Sequence, residues 1–313
     1  MVSFPIPLRI LFAVRPEPLS PLLRCIQRLV AAFLIKQSGL QRSQAHTGAV
    51  ALIQRFGSAA NLNIHLHCLV LDGIYQRRPR EPLFHEVRAP TTEQLQDLLQ
   101  RIITRIMARL TRQGYLIEEE GMRYLGEIDA HRALTPLQAA SCTYRIALGP
   151  SAGQKLLSLQ TLPARAAQPT SALCANAHGY SLHAAVRCGA HQRKRLERLC
   201  RYITRPAIAN ERLKRTRAGQ IVLQLKSPWR DGTTHIVMSP LQFMQRLAAL
   251  VPHPRLHPIR FHGVLAPHAK LRDQIVPSAP INAHEPCGHH AQTLPTSARA
   301  PRRARSSCAH ASA

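Results

Sequence analysis

Two apolar runs rich in β-branched residues, 49–56 and 61–71, are separated only by Gly57-Ser58-Ala59-Ala60. Four small residues leave the chain room to reverse and little else, so the runs are expected as neighbouring strands. Asp72-Gly73 then invites a tight turn before Ile74-Tyr75. Further strands are read at residues 142–148, 156–162, 180–186, 221–225 and 235–238. Thr91 and Gln94 have the spacing of a capping box, and Leu95, Leu98, Leu99, Ile102, Ile103, Ile106 and Leu110 follow as one apolar stripe up to Gly114. Ser20-Pro21 reads as a cap with proline at the first helical position, starting a helix that ends near Gly39. Residues 192–203 are helical in pattern, with Leu196, Leu199, Cys200 and Ile203 inward and a basic outer face, and Ser239-Pro240 starts a helix through Leu250. The expected fold class is α+β, a mostly antiparallel central sheet flanked by helices.

A chain of 313 residues that is 45% hydrophobic can bury a sizeable core. Residues 1–276 are read as one domain. Residues 277–313, rich in Pro, Ala, Ser, His and Arg without apolar periodicity, are read as a disordered basic tail. Lys and Arg number 42 against 16 Asp and Glu, a net charge of +26. Without Arg299, Arg302, Arg303, Arg305 and Glu285 of the tail the body still carries +23. Such a surface attracts polyanions, and nucleic acid is the default partner, although basic ribosomal, histone-like and membrane-surface proteins share the property. The longest apolar run, 29–35, is far short of the ~20 residues of a membrane span. Residues 1–9 lack a basic leader before their apolar stretch, so the expected location is cytoplasmic. No two of the eight cysteines have the spacing of a zinc ribbon, and all are expected to be reduced.

His65 and His67 stand two apart on a predicted strand and therefore share a face. Two imidazoles so arranged can share a divalent cation, which polarises a phosphodiester oxygen; a hydrogen-bonded structural pair is the alternative. Gln54, on the preceding strand, and His183, on a further predicted strand, are alternative third donors. Tyr202 lies on the basic helix with Arg201 beside it and Arg198 and Arg205 on neighbouring turns. A tyrosine can act as a covalent nucleophile, but packing at a core edge is its commoner use.

The segment 47–58 leading into Asn61-Leu62-Asn63-Ile64-His65-Leu66-His67 resembles the strand-loop-strand of HUH-type rolling-circle transposases. Leu196-Glu197-Arg198-Leu199-Cys200-Arg201-Tyr202-Ile203-Thr204-Arg205-Pro206 resembles the tyrosine-bearing helix of the same enzymes, and the likeness continues through 207–213, 224–235 and 260–267. Over about residues 2 to 272 the chain resembles the insertion sequence ninety-one family, in particular its common-region branch. The resemblance implies a central sheet of HUH-endonuclease type, His65 and His67 as metal ligands, and Tyr202 as the nucleophile that holds a DNA 5′ end. It also implies a divalent metal, Mg²⁺ or Mn²⁺ by preference for a phosphate substrate, with single-stranded DNA and the element ends as partners. Arg198, Arg201, Arg205, Arg212 and Arg230 are the expected DNA contacts. Members with two tyrosines carry the second four residues earlier, where this chain has Arg198, so a one-tyrosine mechanism is expected. Members also begin with a cysteine-rich zinc-binding segment, absent before Met1, and the tail after about residue 277 departs from the family as a frameshifted end would. The alternatives to an active transposase are therefore a catalytically impaired DNA-binding remnant and a related replication initiator or relaxase.

Overall fold

The computed structural model describes residues 1–126, 133–164, 173–252, 254 and 256–277. Beyond Pro277, the expected tail lies outside the described residues. Met1–Val276 forms one compact unit.

The chain opens with strand β1 (Val2–Ser3) and helix α1 (Ile6–Val14), whose Pro7 suits a first helical turn. Helix α2 (Leu19–Ser38) starts one residue before Ser20 and ends at Gly39, whose φ of 69° is the left-handed cap that glycine adopts without strain. Strands β2 (Ala45–His46), β3 (Gly48–Phe56), β4 (Leu62–Val70), β5 (Gly73–Gln76) and β6 (Leu83–Glu86) come next. Helix α3 (Thr92–Arg112) has both halves of the Thr91–Gln94 capping box and buries the whole expected stripe. Strands β7 (Leu116–Glu119) and β8 (Met122–Leu125) form a hairpin. Helix α4 (Thr135–Cys142), strands β9 (Leu157–Gln160), β10 (Cys174–Ala177) and β11 (Tyr180–His183), and helix α5 (Arg193–Thr204) follow. Strands β12 (Leu213–Arg215), β13 (Ile221–Gln224) and β14 (Thr233–Met238), helix α6 (Pro240–Leu250), strand β15 (Ile259–Gly263) and helix α7 (Arg272–Ile275) complete the unit.

The central sheet has the order β10-β11-β1-β4-β3-β15, with every pairing antiparallel. The fold class is therefore the α+β arrangement expected, with β3 and β4 as neighbours. Val2, Ala51, Ile53, Ile64, Leu66 and Leu182 point to one face and join Phe12, Leu22, Ile26, Leu99 and Ile102 of the helices in the main core. Each fully buried Val, Leu, Ile or Phe among them contributes roughly 1.5–3 kcal/mol. The alternate residues of β3 and β4, including Gln54, His65 and His67, point to the other face. A second sheet, β12-β13-β14-β9, packs Leu223, Ile236 and Met238 against Ala59 and Ala60 of the β3–β4 connection.

Two expectations are corrected. Residues 142–148 are not a strand: Cys142 ends α4, and Tyr144 takes a left-handed φ of 59°. After Cys142 the chain turns, and only Arg145 pairs, in an isolated antiparallel bridge to Lys155, so the apolar residues there pack from a helix end and a turn rather than from a strand. Asp72-Gly73 does not fold β5 back onto β4; it leads β5 into a separate sheet, β2-β5-β6. A Cβ on Gly73 would lie 2.3 Å from the His85 carbonyl oxygen, so close approach of β6 is what requires glycine. Among the described residues, no helix is long and apolar enough to cross a membrane, and the six described cysteines are free thiols.

Candidate active site

Strand alternation brings the histidines together. In the β3–β4 register Gln54 faces His65 and Leu52 faces His67, so Gln54, His65 and His67 share the face away from the helical core. A register irregularity between Gln54 and Phe56 marks the end of this pairing, where bulges commonly re-aim side chains beside functional sites. His65 Nε2 lies 3.1 Å from His67 Nε2, which lies 3.2 Å from Gln54 Oε1. His65 and Gln54 are buried and His67 is partly so.

Hydrogen bonding fixes which atoms carry lone pairs. His65 Nδ1 is 2.6 Å from the Asn63 carbonyl oxygen, which only accepts, so the ring proton sits on Nδ1 and Nε2 is left as an acceptor. The Gln54 amide nitrogen donates to the Ile203 carbonyl at 3.0 Å, which turns Oε1 toward the rings. His67 Nε2 thus faces two acceptors and can donate to only one at a time. Burial holds the His65 imidazole below its ordinary range, and burial with the neighbouring His65 pushes His67 down to about 4, so both rings are neutral near pH 7.

Two lone pairs converge on His67 Nε2, and once that nitrogen passes its proton to Nδ1 or to solvent all three atoms can face a cation. Ligands at ~2.1 Å in an octahedron are ~3.0 Å apart along each edge, and ligands at ~2.0–2.1 Å in a tetrahedron are ~3.3–3.4 Å apart. The observed 3.1 and 3.2 Å fall in that interval. Among the described residues no three His, Cys, Asp or Glu side chains form a cluster, so the third donor available beside this pair is the Gln54 amide oxygen. His183, the other candidate, is on the same face, but β1 runs between β11 and β4. Two strand spacings, about 10 Å, therefore separate the backbones.

Tyr202 is on the last turn of α5, where Pro206 forces Arg205 into an extended conformation and ends the helix. Ile203 is buried and anchors this end, while Tyr202 is 43% exposed and open to a macromolecule. The Arg205 guanidinium lies 4.5 Å, and the Lys226 ammonium 3.8 Å, from the tyrosine ring centroid. Lys226, just past β13, was not anticipated from the sequence, although it lies within the 224–235 segment already singled out. Leu196, expected inside, is 39% exposed, so the inward face of α5 is narrower than its pattern implied.

The remaining arginines divide. Arg201 pairs with Glu197 at 2.8 Å on the exposed side of α5, and Arg198 is exposed one turn before Tyr202. Arg212 donates to the backbone carbonyls of Gln224 and Ser58, tying the second sheet to the β3–β4 connection, and burial with nearby Arg205 lowers its pKa. Arg230 is exposed in the turn between β13 and β14. Only Arg205 of the five lies over the tyrosine ring.

A family model described as "Putative transposase" matches residues 48–272, from the first residue of β3 to the first of α7, and so spans Gln54, His65, His67 and Tyr202. No curated protein and no solved structure matches significantly.

Proposed function

The chain belongs to this transposase family, and we propose that it cuts one DNA strand and transfers it through a covalent bond to Tyr202. The observation that carries this reading is the position of Gln54. Its oxygen joins the two histidines while its nitrogen holds the carbonyl of Ile203, next in the chain to Tyr202. One buried side chain thus couples a three-donor cation site to the nucleophile's helix.

The Tyr202 hydroxyl oxygen attacks the scissile phosphorus. The Oη–P bond forms, the P–O3′ bond breaks, and the phenol proton is balanced by protonation of the departing 3′ oxygen. A free 3′ hydroxyl then attacks the phosphotyrosine in the reverse sense, joining the strand to its new end and regenerating the phenol. His65, His67 and Gln54 would hold a divalent cation, Mg²⁺ or Mn²⁺ for a phosphate substrate, which would supply charge neutralisation to the reacting phosphate. Arg205 and Lys226 add fixed positive charge where the phosphate approaches Tyr202, and exposed Arg198, Arg201 and Arg230 extend it along the strand. Resemblance to the common-region branch of the insertion sequence ninety-one family supports a rolling-circle-like route with the single tyrosine.

The test is a single-stranded substrate carrying an element end, incubated with the full chain and Mn²⁺ and resolved under denaturing conditions. A protein–DNA adduct is expected from the native chain, and none from Tyr202→Phe, which should still bind the strand. Adduct formation by Tyr202→Phe refutes the assignment.

A further inference from the structure

Away from the histidines, two cavities adjoin at Thr47 and Gly263. The first, of about 450 Å³, lies between α2, α3 and the β3–β15 edge and is lined by Arg24, Arg28, Arg109 and His262. The second, of about 790 Å³, is lined by His46, Arg77, Arg78 and Lys270. Volumes of this size suit nucleotide-sized ligands.

Neither lining contains an aspartate or a glutamate. Among the described residues, the ion pairs of Arg101, Arg123, Arg187 and Arg201 lie outside both linings. Burial has also left polar atoms here without partners. Arg109 Nε, His262 Nε2 and His46 Nε2 are shielded from solvent and make no hydrogen bond. Buried polar atoms are normally satisfied, so three orphans on two adjoining cavities point to a polar ligand. The linings hold no Phe, Tyr or Trp, which removes aromatic stacking on bases as the main grip and leaves phosphate as the group recognised.

Gly48, in the first cavity, is six residues along β3 from Gln54, about 20 Å at ~3.3–3.4 Å per residue. The groove is therefore separate from the candidate active site. We propose that these two cavities form a second DNA track, holding the sugar-phosphate backbone of single-stranded DNA outside the active site. This rests on the reading that the chain works on single-stranded DNA. A duplex is the poorer occupant, because its phosphates lie on a stiff convex rod whereas one flexible strand can follow narrow adjoining concavities.

The experiment measures binding of fluorescent dT25 by the full chain over a salt series. The groove variant combines Arg24→Gln, Arg28→Gln, Arg78→Gln and Lys270→Gln, all exposed side chains whose loss spares the core. The control removes four exposed arginines elsewhere, Arg88→Gln, Arg105→Gln, Arg112→Gln and Arg217→Gln, for the same change in net charge. Each phosphate contact on a single strand contributes ~0.7 to the slope of log K against log salt, so the groove variant should lose about 2–3 from that slope. The control should lose less than half as much. Equal losses in the two variants, no loss in the groove variant, no dT25 binding by the native chain, or a loss confined to duplex DNA each overturns the proposal. If the native chain binds dT25 through the groove yet forms no Tyr202 adduct, the strand-transfer reading fails and the second track stands.

Discussion

Replacing Gln54 by glutamate separates its two roles, because the carboxylate keeps the oxygen facing His67 but loses the amide donor to Ile203. Without metal, the Ile203 carbonyl exchanges a buried donor for an anion. Losing a partner to a buried polar group costs about 1–3 kcal/mol, and the carboxylate adds repulsion, so the metal-free variant should unfold at least that much more easily. With a divalent cation the sign reverses, since a charged oxygen binds Mg²⁺ or Mn²⁺ more tightly than an amide does. Binding to the folded state alone adds RT ln(1 + [L]/Kd), about 2.7 kcal/mol at a hundred times Kd, enough to offset the lost bond. The assay is urea unfolding of native chain and Gln54→Glu, in chelator and in excess Mn²⁺, with Mn²⁺ affinity measured by calorimetry. The expected result is a crossing: the variant is weaker in chelator and equals or exceeds the native chain in Mn²⁺. Equal destabilisation in both media would mean that Gln54 only braces α5, and the three-donor site would be refuted.

Two further outcomes follow from the interior. Arg55 is buried on β3 with all three guanidinium nitrogens unpartnered, and burial lowers its pKa; Arg55→Met should raise the free energy of unfolding by about 1–3 kcal/mol, and the urea midpoint with it, because removing an unpaired buried charge relieves its desolvation. A lower midpoint would reveal a stabilising partner and refute the reasoning. Tyr180 packs edge-on against Phe4 and donates to Met107 Sδ at 3.3 Å, and burial pushes its phenol well above the ordinary range near 10. Its folded pKa exceeds the unfolded one, so the stability it contributes is intact below pH ~10 and is lost as the unfolded phenol ionises above that. Tyr180→Phe should therefore flatten the fall in stability between pH 9 and pH 11, followed by circular dichroism, and an unchanged fall rules out Tyr180 as its source.

What was legible in the sequence is what repeats at a short period. The stripe from Leu95 to Leu110 and the alternation through His65 and His67 each name a face, and the faces are where the structure has them. Caps were legible where a side chain does the capping, as at Thr91 and Ser239. Near Cys142 a short apolar run misled, because a run of that length fits a strand as well as a helix end followed by a turn. The two-residue strand β1 was invisible for a related reason: Val2 and Ser3 make no pattern, yet they fill the gap between β4 and β11 and thereby keep His183 apart from His67. The same holds at the candidate active site. The histidine pair is local and could be read directly, whereas Lys226 reaches Tyr202 only because the second sheet packs beside α5. The choice of Gln54 over His183 depends on strand order, which no local period records. Strand order also puts Gln54 next to the tyrosine helix, so a substitution on β3 should reach Tyr202 through the hydrogen bond from Gln54 to Ile203.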